Sequence, residues 1–206
     1  MTGFDSPTTA LQVVVTGACG ALGQALIRRL VERGRLTFGA DAAGVELPLA
    51  RILGVDRVHR GGLVVDDLVE YVRGDVDSAT LISHVMSGKT DAVFHLAVAP
   101  PDDVEADGDA IARDLDALRT LLAAAAAQRR PPRFVYASSL AAAAAPATGQ
   151  GTRDAISELL LADESRRGRL DARIVRLPQA LEAAAEALVA AHELAPQALG
   201  IGRLVG

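Results

Sequence analysis

LQVVVTGACGALGQALIRRL, residues Leu11 to Leu30, decides the fold. Leu11 to Val15 is a short apolar run of the kind that forms a buried strand, and Leu22, Ala25, Leu26 and Leu30 then fall on one face of a helix. Between them lies Thr16-Gly17-Ala18-Cys19-Gly20-Ala21-Leu22-Gly23, a glycine turn with the spacing Gly-x-x-Gly-x-x-Gly. A helix that starts on such a turn presents unpaired amides and the positive end of its dipole, and together these attract an anion. Glycine serves where the backbone turns sharply, approaches a diphosphate closely, or lets helix and strand touch. Gly17, Cys19, Gly20, Ala21, Leu22 and Gly23 are therefore the candidate nucleotide-binding set. A turn of purely structural purpose is the alternative.

Working outward, 206 residues, half of them apolar, suffice for one α/β domain with a real core, residues 11–206, behind a loose polar tail at 1–10. A net charge of −5 without a basic cluster argues against nucleic acid as a partner. One cysteine leaves no intramolecular disulfide and suits a reducing cytoplasm. No apolar run is long enough to span a membrane, and the start lacks a signal-peptide pattern.

Arg35 to Ala40 is expected as the second strand, ending at Asp41. A carboxylate there, about 20 residues beyond the glycine turn, can bond the adenosine ribose and repel a 2′-phosphate, favouring NAD over NADP; a solvated loop aspartate is the alternative. Residues 42 to 67 carry no clear pattern. Further strands are expected at Val69 to Arg73, Asp91 to Leu96, Arg133 to Ala137 and Ala172 to Leu177. Helices are expected over Ser78 to Met86, over 104–130 on the face Ile111, Leu115, Leu118 and Leu122, over 152–168, and around Leu181, Ala185, Leu188 and Val189. The acidic cluster Asp102, Asp103, Glu105, Asp107 and Asp109, at the start of the second of these helices, reads as a solvated face rather than a metal site. Strands alternating with helices imply a single doubly wound parallel sheet with strand order 3-2-1-4-5-6. Ligands then sit at the C-terminal strand ends, where Ser138 and Ser139 close the Arg133 strand.

TGACGALG, GDV (74–76), DAVFHLA (91–97), FVYASS (134–139), SELLLADESRRG (157–168) and LDARIVRLP (170–178) together resemble the extended short-chain dehydrogenases/reductases. The match is to the NAD-dependent epimerase/dehydratase group, nearest the branch of D-erythronate dehydrogenases. The resemblance implies a Rossmann-like sheet, an NAD site and a small-molecule substrate. It implies that Asp75 and Val76 lie at the adenine, and that the backbone of Leu96, Ala97, Val98 and Pro178 runs beside the cofactor. Asp75 has a second reading as a helix cap, a role open equally to Asp77 or Ser78. His95 reads as a packed strand histidine. The resemblance further implies a homodimer through helices 104–130 and 152–168.

Members of this family pair a serine or threonine with Tyr-x-x-x-Lys. Ser139 matches the serine, but counting back from Glu158 puts Gln150 at the tyrosine and Asp154 at the lysine, and Asp114 at the helical asparagine. The chain's two tyrosines, Tyr71 and Tyr136, fall in expected strands, and its single lysine is Lys89. Glutamine is no acid or base near neutral pH, and aspartate reverses the charge of lysine. A positioned acid/base is worth on the order of 10²–10⁴ in rate, so ordinary hydride chemistry is expected to suffer. Arg153, one position away on the helix, is expected to face elsewhere. AAAEALVAAHELAPQALG (183–200) resembles a segment that relatives carry far downstream, which implies a reduced substrate-binding subdomain and a short C-terminal cap. The expected function is altered, non-redox chemistry such as cyclisation, isomerisation, dehydration or lysis on a small carbonyl or hydroxyl metabolite, with Ser139, Gln150, Asp154 and Asp114 at the site. A non-catalytic NAD-binding subunit and a Ser139-dependent dehydrogenase are the alternatives.

Overall fold

The computed structural model describes residues 9–38, 44–58, 61–86, 89–96, 108–139, 142, 149–177 and 181–193. The opening motif folds as its pattern dictates: β1 (Leu11–Thr16), the glycine turn, then α1 (Ala21–Arg33), which closes on Gly34 in the left-handed region at φ 61°. The elements that follow are β2 (Arg35–Phe38), β3 (Val45–Asp56), β4 (Val69–Arg73), α2 (Ala79–Val85), β5 (Ala92–His95), α3 (Gly108–Ala126), β6 (Arg133–Ser139), α4 (Gly149–Arg166), β7 (Asp171–Leu177) and α5 (Leu181–Glu193).

The parallel sheet runs β4-β3-β1-β5-β6-β7. This is the expected 3-2-1-4-5-6 order, with one correction to its membership. The second parallel strand is β3, inside the stretch that showed no pattern, and not Arg35 to Ala40. β2 is a short strand antiparallel to the outer part of β3, pairing Arg35 with Pro48 and Phe38 with Val45. The reason is visible in β3 itself. Its outer half, Val45 to Arg51, is largely exposed and interrupted by Pro48 and Arg51, and only Ile52 to Val55 is continuously buried between β1 and β4. An apolar run of four within a twelve-residue strand is too short to announce itself.

Helices cover both faces. Leu26, Ile27 and Leu30 of α1 and Ala185, Leu188 and Val189 of α5 pack with Leu11, Val13 and Val15 on one side. Ile82 of α2, Leu118, Leu121 and Leu122 of α3 and Leu161 of α4 pack with Val14, Val93 and Phe134 on the other. Parallel strands buried on both faces read as nearly unbroken apolar runs, which explains VVV in β1 and AVF in β5. No helix among the described residues is long and apolar enough to cross a membrane.

Candidate functional site

The C-terminal ends of β1, β3, β4, β5 and β6 lie along one edge of the sheet, and the sequence candidates gather there. Gly17 takes a left-handed φ of 70°, and its amide and that of Ala18 donate to the Val55 carbonyl at 2.9 and 3.3 Å. A Cβ on Gly23 would stand 2.3 Å from the Gly17 carbonyl oxygen and 2.7 Å from that of Ala18, so only glycine lets the helix approach the turn this closely. Gly20 is the N-cap residue of α1, in extended geometry, and among the described residues no side chain caps the helix start. The first-turn amides are left for an anion.

Asp56, at the end of β3, is the acidic residue of this site that sequence reasoning missed. Its carboxylate accepts the Cys19 amide of the glycine turn at 2.9 Å and the Val58 amide at 3.1 Å. The strand before Asp41 is not the second parallel strand, and Asp41 itself lies outside the described residues. Recognising ILGVD (52–56) as a buried strand end would have found Asp56. Next to it, the Gly74 amide donates to the Asp56 carbonyl at 2.9 Å. The Asp75 carboxylate stands 3.7 Å from Arg57. The capping role falls to Ser78, whose hydroxyl accepts the Leu81 amide at 3.3 Å, so Asp75 is not the cap of α2. Val76 is half-buried beside it.

On β5, the Leu96 amide donates to the Thr16 carbonyl at 3.1 Å, joining this strand end to the glycine turn. His95 is a packed residue, as expected: Nδ1 shares a hydrogen bond of 2.7 Å with the Thr16 hydroxyl, and the ring stacks on Tyr136 with centroids 5.7 Å apart. Burial, seconded by the Arg153 charge, pushes its pKa down to about 4, so it is neutral at physiological pH.

At the end of β6, the Ser139 hydroxyl donates to Asp154 Oδ2 at 2.5 Å. The other carboxylate oxygen accepts the Arg153 guanidinium at 2.9 and 3.1 Å and the Tyr136 hydroxyl at 3.3 Å. Arg153 also reaches Asp114 Oδ2 at 3.2 Å. The expectation that Arg153 faces away from the site is thus corrected: it is 2% exposed, Asp154 is 1% exposed, and the two lie side by side beneath Ser139. A long guanidinium at the first turns of a helix folds back under its neighbour, which spacing alone does not reveal. Burial pulls the Arg153 pKa down, but Asp154, Tyr136 and Asp114 outweigh it and hold the guanidinium charged. Burial and then the Asp154 charge push the Tyr136 phenol far up, so it stays protonated. Below this cluster the Ser138 hydroxyl donates to Glu158 at 2.6 Å, and Arg176 grips the same carboxylate with two bonds of 2.7 and 2.9 Å.

Gln150 belongs to the first turn of α4; its side chain, like residues Ala97, Val98 and Pro178, lies outside the described part. A cavity of about 300 Å³ lined by Gln12, Arg51, Lys89 and Thr90 is at the opposite end of the sheet and touches none of these groups.

Residues 13–164 match the sequence model of the NAD dependent epimerase/dehydratase family. The chain belongs to that family. It is 36% identical over 182 residues to a D-erythronate dehydrogenase of Cupriavidus necator, covering 82% of this chain and 55% of the relative. With a D-erythronate dehydrogenase of Haemophilus influenzae it shares 28% identity over 193 residues, covering 82% and 54%. The chain therefore spans about half the length of the curated relatives it matches. Among solved structures it is similar to a nucleoside-diphosphate-sugar epimerase from Agrobacterium tumefaciens at TM-score 0.69 and 28% identity, over 86% of this chain and 56% of the other. A UDP-glucose 4-epimerase from Brucella ovis in complex with NAD, at 19% identity and TM-score 0.66, shares the fold. The epimerase/dehydratase family is NAD-dependent, and three features of this chain fit that cofactor: the start of α1 without a side-chain cap, the close approach of helix and turn that glycine at position 23 permits, and the carboxylate of Asp56 beside the turn.

Proposed function

We propose that the chain binds NAD along the C-terminal edge of its sheet. The amides after Gly20 hold the diphosphate, Asp56 takes the place foreseen for Asp41 at the adenosine ribose, and Asp75 lies toward the adenine. A carboxylate in that place disfavours a 2′-phosphate, hence NAD over NADP. When bound, NAD supplies a ring that takes and returns hydride. The protein's own contribution differs from a phenol held by an ammonium group. In the resting state Ser139 keeps its proton and donates it in a hydrogen bond to Asp154, so the lone pairs of its oxygen are left as acceptors toward the open edge. A substrate proton, on a hydroxyl or on carbon next to a carbonyl, passes to Ser139 Oγ while the Ser139 proton moves to Asp154. Arg153 balances the carboxylate charge, and Asp114 holds Arg153 from its other side. This arrangement serves isomerisation, dehydration or lysis of a small hydroxyl- or carbonyl-bearing metabolite.

The observation that carries this reading is the 2.5 Å bond from Ser139 to Asp154 at the strand end. Its test is a panel of four-carbon and sugar-derived hydroxy and keto acids incubated with the protein and NAD, followed by proton NMR and by absorbance at the reduced-nicotinamide band. The expected result is a changed metabolite without accumulating reduced cofactor, lost in Asp154→Asn at a temperature where circular dichroism shows that less stable variant to be folded. Unaltered turnover in that variant removes Asp154 from the mechanism. A second reading, oxidation with Ser139 as acceptor, draws on the 36% identity to a D-erythronate dehydrogenase; reduced cofactor formed one for one with product decides for it. Homodimerisation through α3 and α4 belongs to the same proposal, supported by Leu159, an apolar side chain 63% exposed on α4.

A further inference from the structure

Gln24 sits one residue beyond the last glycine of the turn and uses its whole side-chain amide. Nε2 donates to the Ala18 carbonyl of the turn at 2.7 Å and to the Tyr71 hydroxyl on β4 at 3.0 Å. Oε1 accepts the Val64 amide at 2.7 Å. Tyr71 in turn donates to the Val64 carbonyl at 3.2 Å. Its ring is packed close against Gly54 of β3, where a Cβ would meet Tyr71 Cδ1 at 2.8 Å and the Ala18 methyl at 2.9 Å. Both hydrogens and the oxygen of one amide thus tie three segments together: the glycine turn, β4, and the link between β3 and β4. That link begins directly after Asp56, whose carboxylate already holds the Cys19 amide from the other side of the turn. The turn is fixed between Gln24 at Ala18 and Asp56 at Cys19.

We infer that Gln24, seconded by Tyr71, is a positioning residue for the diphosphate: it sets the Ala18 peptide and so the aim of the amides that follow. Glutamine meets the need because one planar group must donate twice and accept once in fixed directions; glutamate cannot donate to the Ala18 carbonyl, and methionine can do neither. The inference rests on the NAD reading above and adds a residue that the glycine pattern does not include.

The experiment is calorimetric titration of NAD and ADP into the wild-type chain and into Gln24→Met, Gln24→Glu and Tyr71→Phe, with adenosine as a ligand lacking phosphate, followed by ligand-observed NMR. Thermal melting of each variant is recorded alongside. Gln24→Met keeps volume and helix preference but gives up three hydrogen bonds, so its melting temperature is expected to fall by several degrees, and all titrations are made well below the onset of its melting. Its Kd for NAD and for ADP is expected to rise about tenfold, the worth of one or two hydrogen bonds, with adenosine binding unchanged. Gln24→Glu should lose at least as much, and Tyr71→Phe less, because it removes one of the three partners. Wild-type affinity for NAD in Gln24→Met overturns the positioning role and leaves the cofactor reading standing. Equal losses for adenosine and ADP also overturn it, since they mark a general structural defect. No binding by the wild-type chain overturns both.

Discussion

Arg153 and Asp154 are neighbours in sequence and are both almost wholly out of solvent, with Asp114, 27% exposed at its side chain, as the third member of the cluster. Removing one member of a buried ion pair strands the other charge, at a cost of about 3–5 kcal/mol, whereas replacing both by apolar groups is often near neutral. Arg153→Met is accordingly expected to lower stability by about that amount, and the double change to Arg153→Met with Asp154→Leu to recover most of it. Guanidinium denaturation of the two single variants and the double variant measures this directly. A harmless Arg153→Met would show that the pair is solvated and that Asp154 is not held for the role proposed. The sequence places Asp154 opposite Ser139 through motif spacing alone. It gives no sign that Tyr136 and Arg153 converge on the same carboxylate, because neither a strand parity nor a helix angle tells how far a long side chain reaches.

At the scale of elements, α5 shows what a helix end can bury. Arg133 donates to the His192 carbonyl, and Arg173 to the Ala191 carbonyl at 3.2 Å, so two cations close the C-terminus of the helix. The His192 ring is fully buried, 6.0 Å from Phe38 and 5.8 Å from Phe94 between centroids, and among the described residues neither ring nitrogen has a hydrogen-bond partner. Burial, then the charges of Arg133 and Arg173, push its pKa down to about 3. Both this imidazole and that of His95 titrate lower in the folded chain than in the unfolded one, where histidine sits near 6.5. Below that pH the unfolded chain takes up protons that the folded chain refuses. Stability is therefore whole above about 6.5 and falls as pH drops toward the folded values. Between pH 7.5 and 5 each histidine is expected to contribute a loss of about 2 kcal/mol. Urea midpoints across this range in wild type and His192→Phe provide the check, the variant losing about half of the dependence. An unchanged slope in His192→Phe would mean that the ring is hydrated.

The elements also show where reading from sequence succeeds. β1, the glycine turn and α1 are legible because a continuous apolar run, three evenly spaced glycines and a helical apolar stripe follow one another in order. β3 is not, because the hairpin with β2 delays the second parallel strand and its outer half alternates around Pro48 and Arg51. The consequence is local but matters for the site: with β3 unread, Asp56 at its end is unread.

For the whole molecule, the two faces of the sheet are unequally finished. α1 and α5 lie on one side; α3 and α4 pack together on the other, and Leu159 of α4 faces outward. A second copy covering α3 and α4 is expected to give a light-scattering mass of two chains at micromolar concentration, and Leu159→Asp to return it to one. A wild-type mass of one chain contradicts the dimer without touching the cofactor site, since the glycine turn, Asp56 and the Ser139 cluster all come from a single chain. In the proposed cofactor site, the amides at the start of α1 hold a diphosphate while Asp56 reads the ribose beside it. Calorimetric titration of NAD and NADP into the wild-type chain tests it most directly: saturable binding of one NAD per chain, tighter than NADP, is the expected result, and the absence of binding by either nucleotide would contradict it.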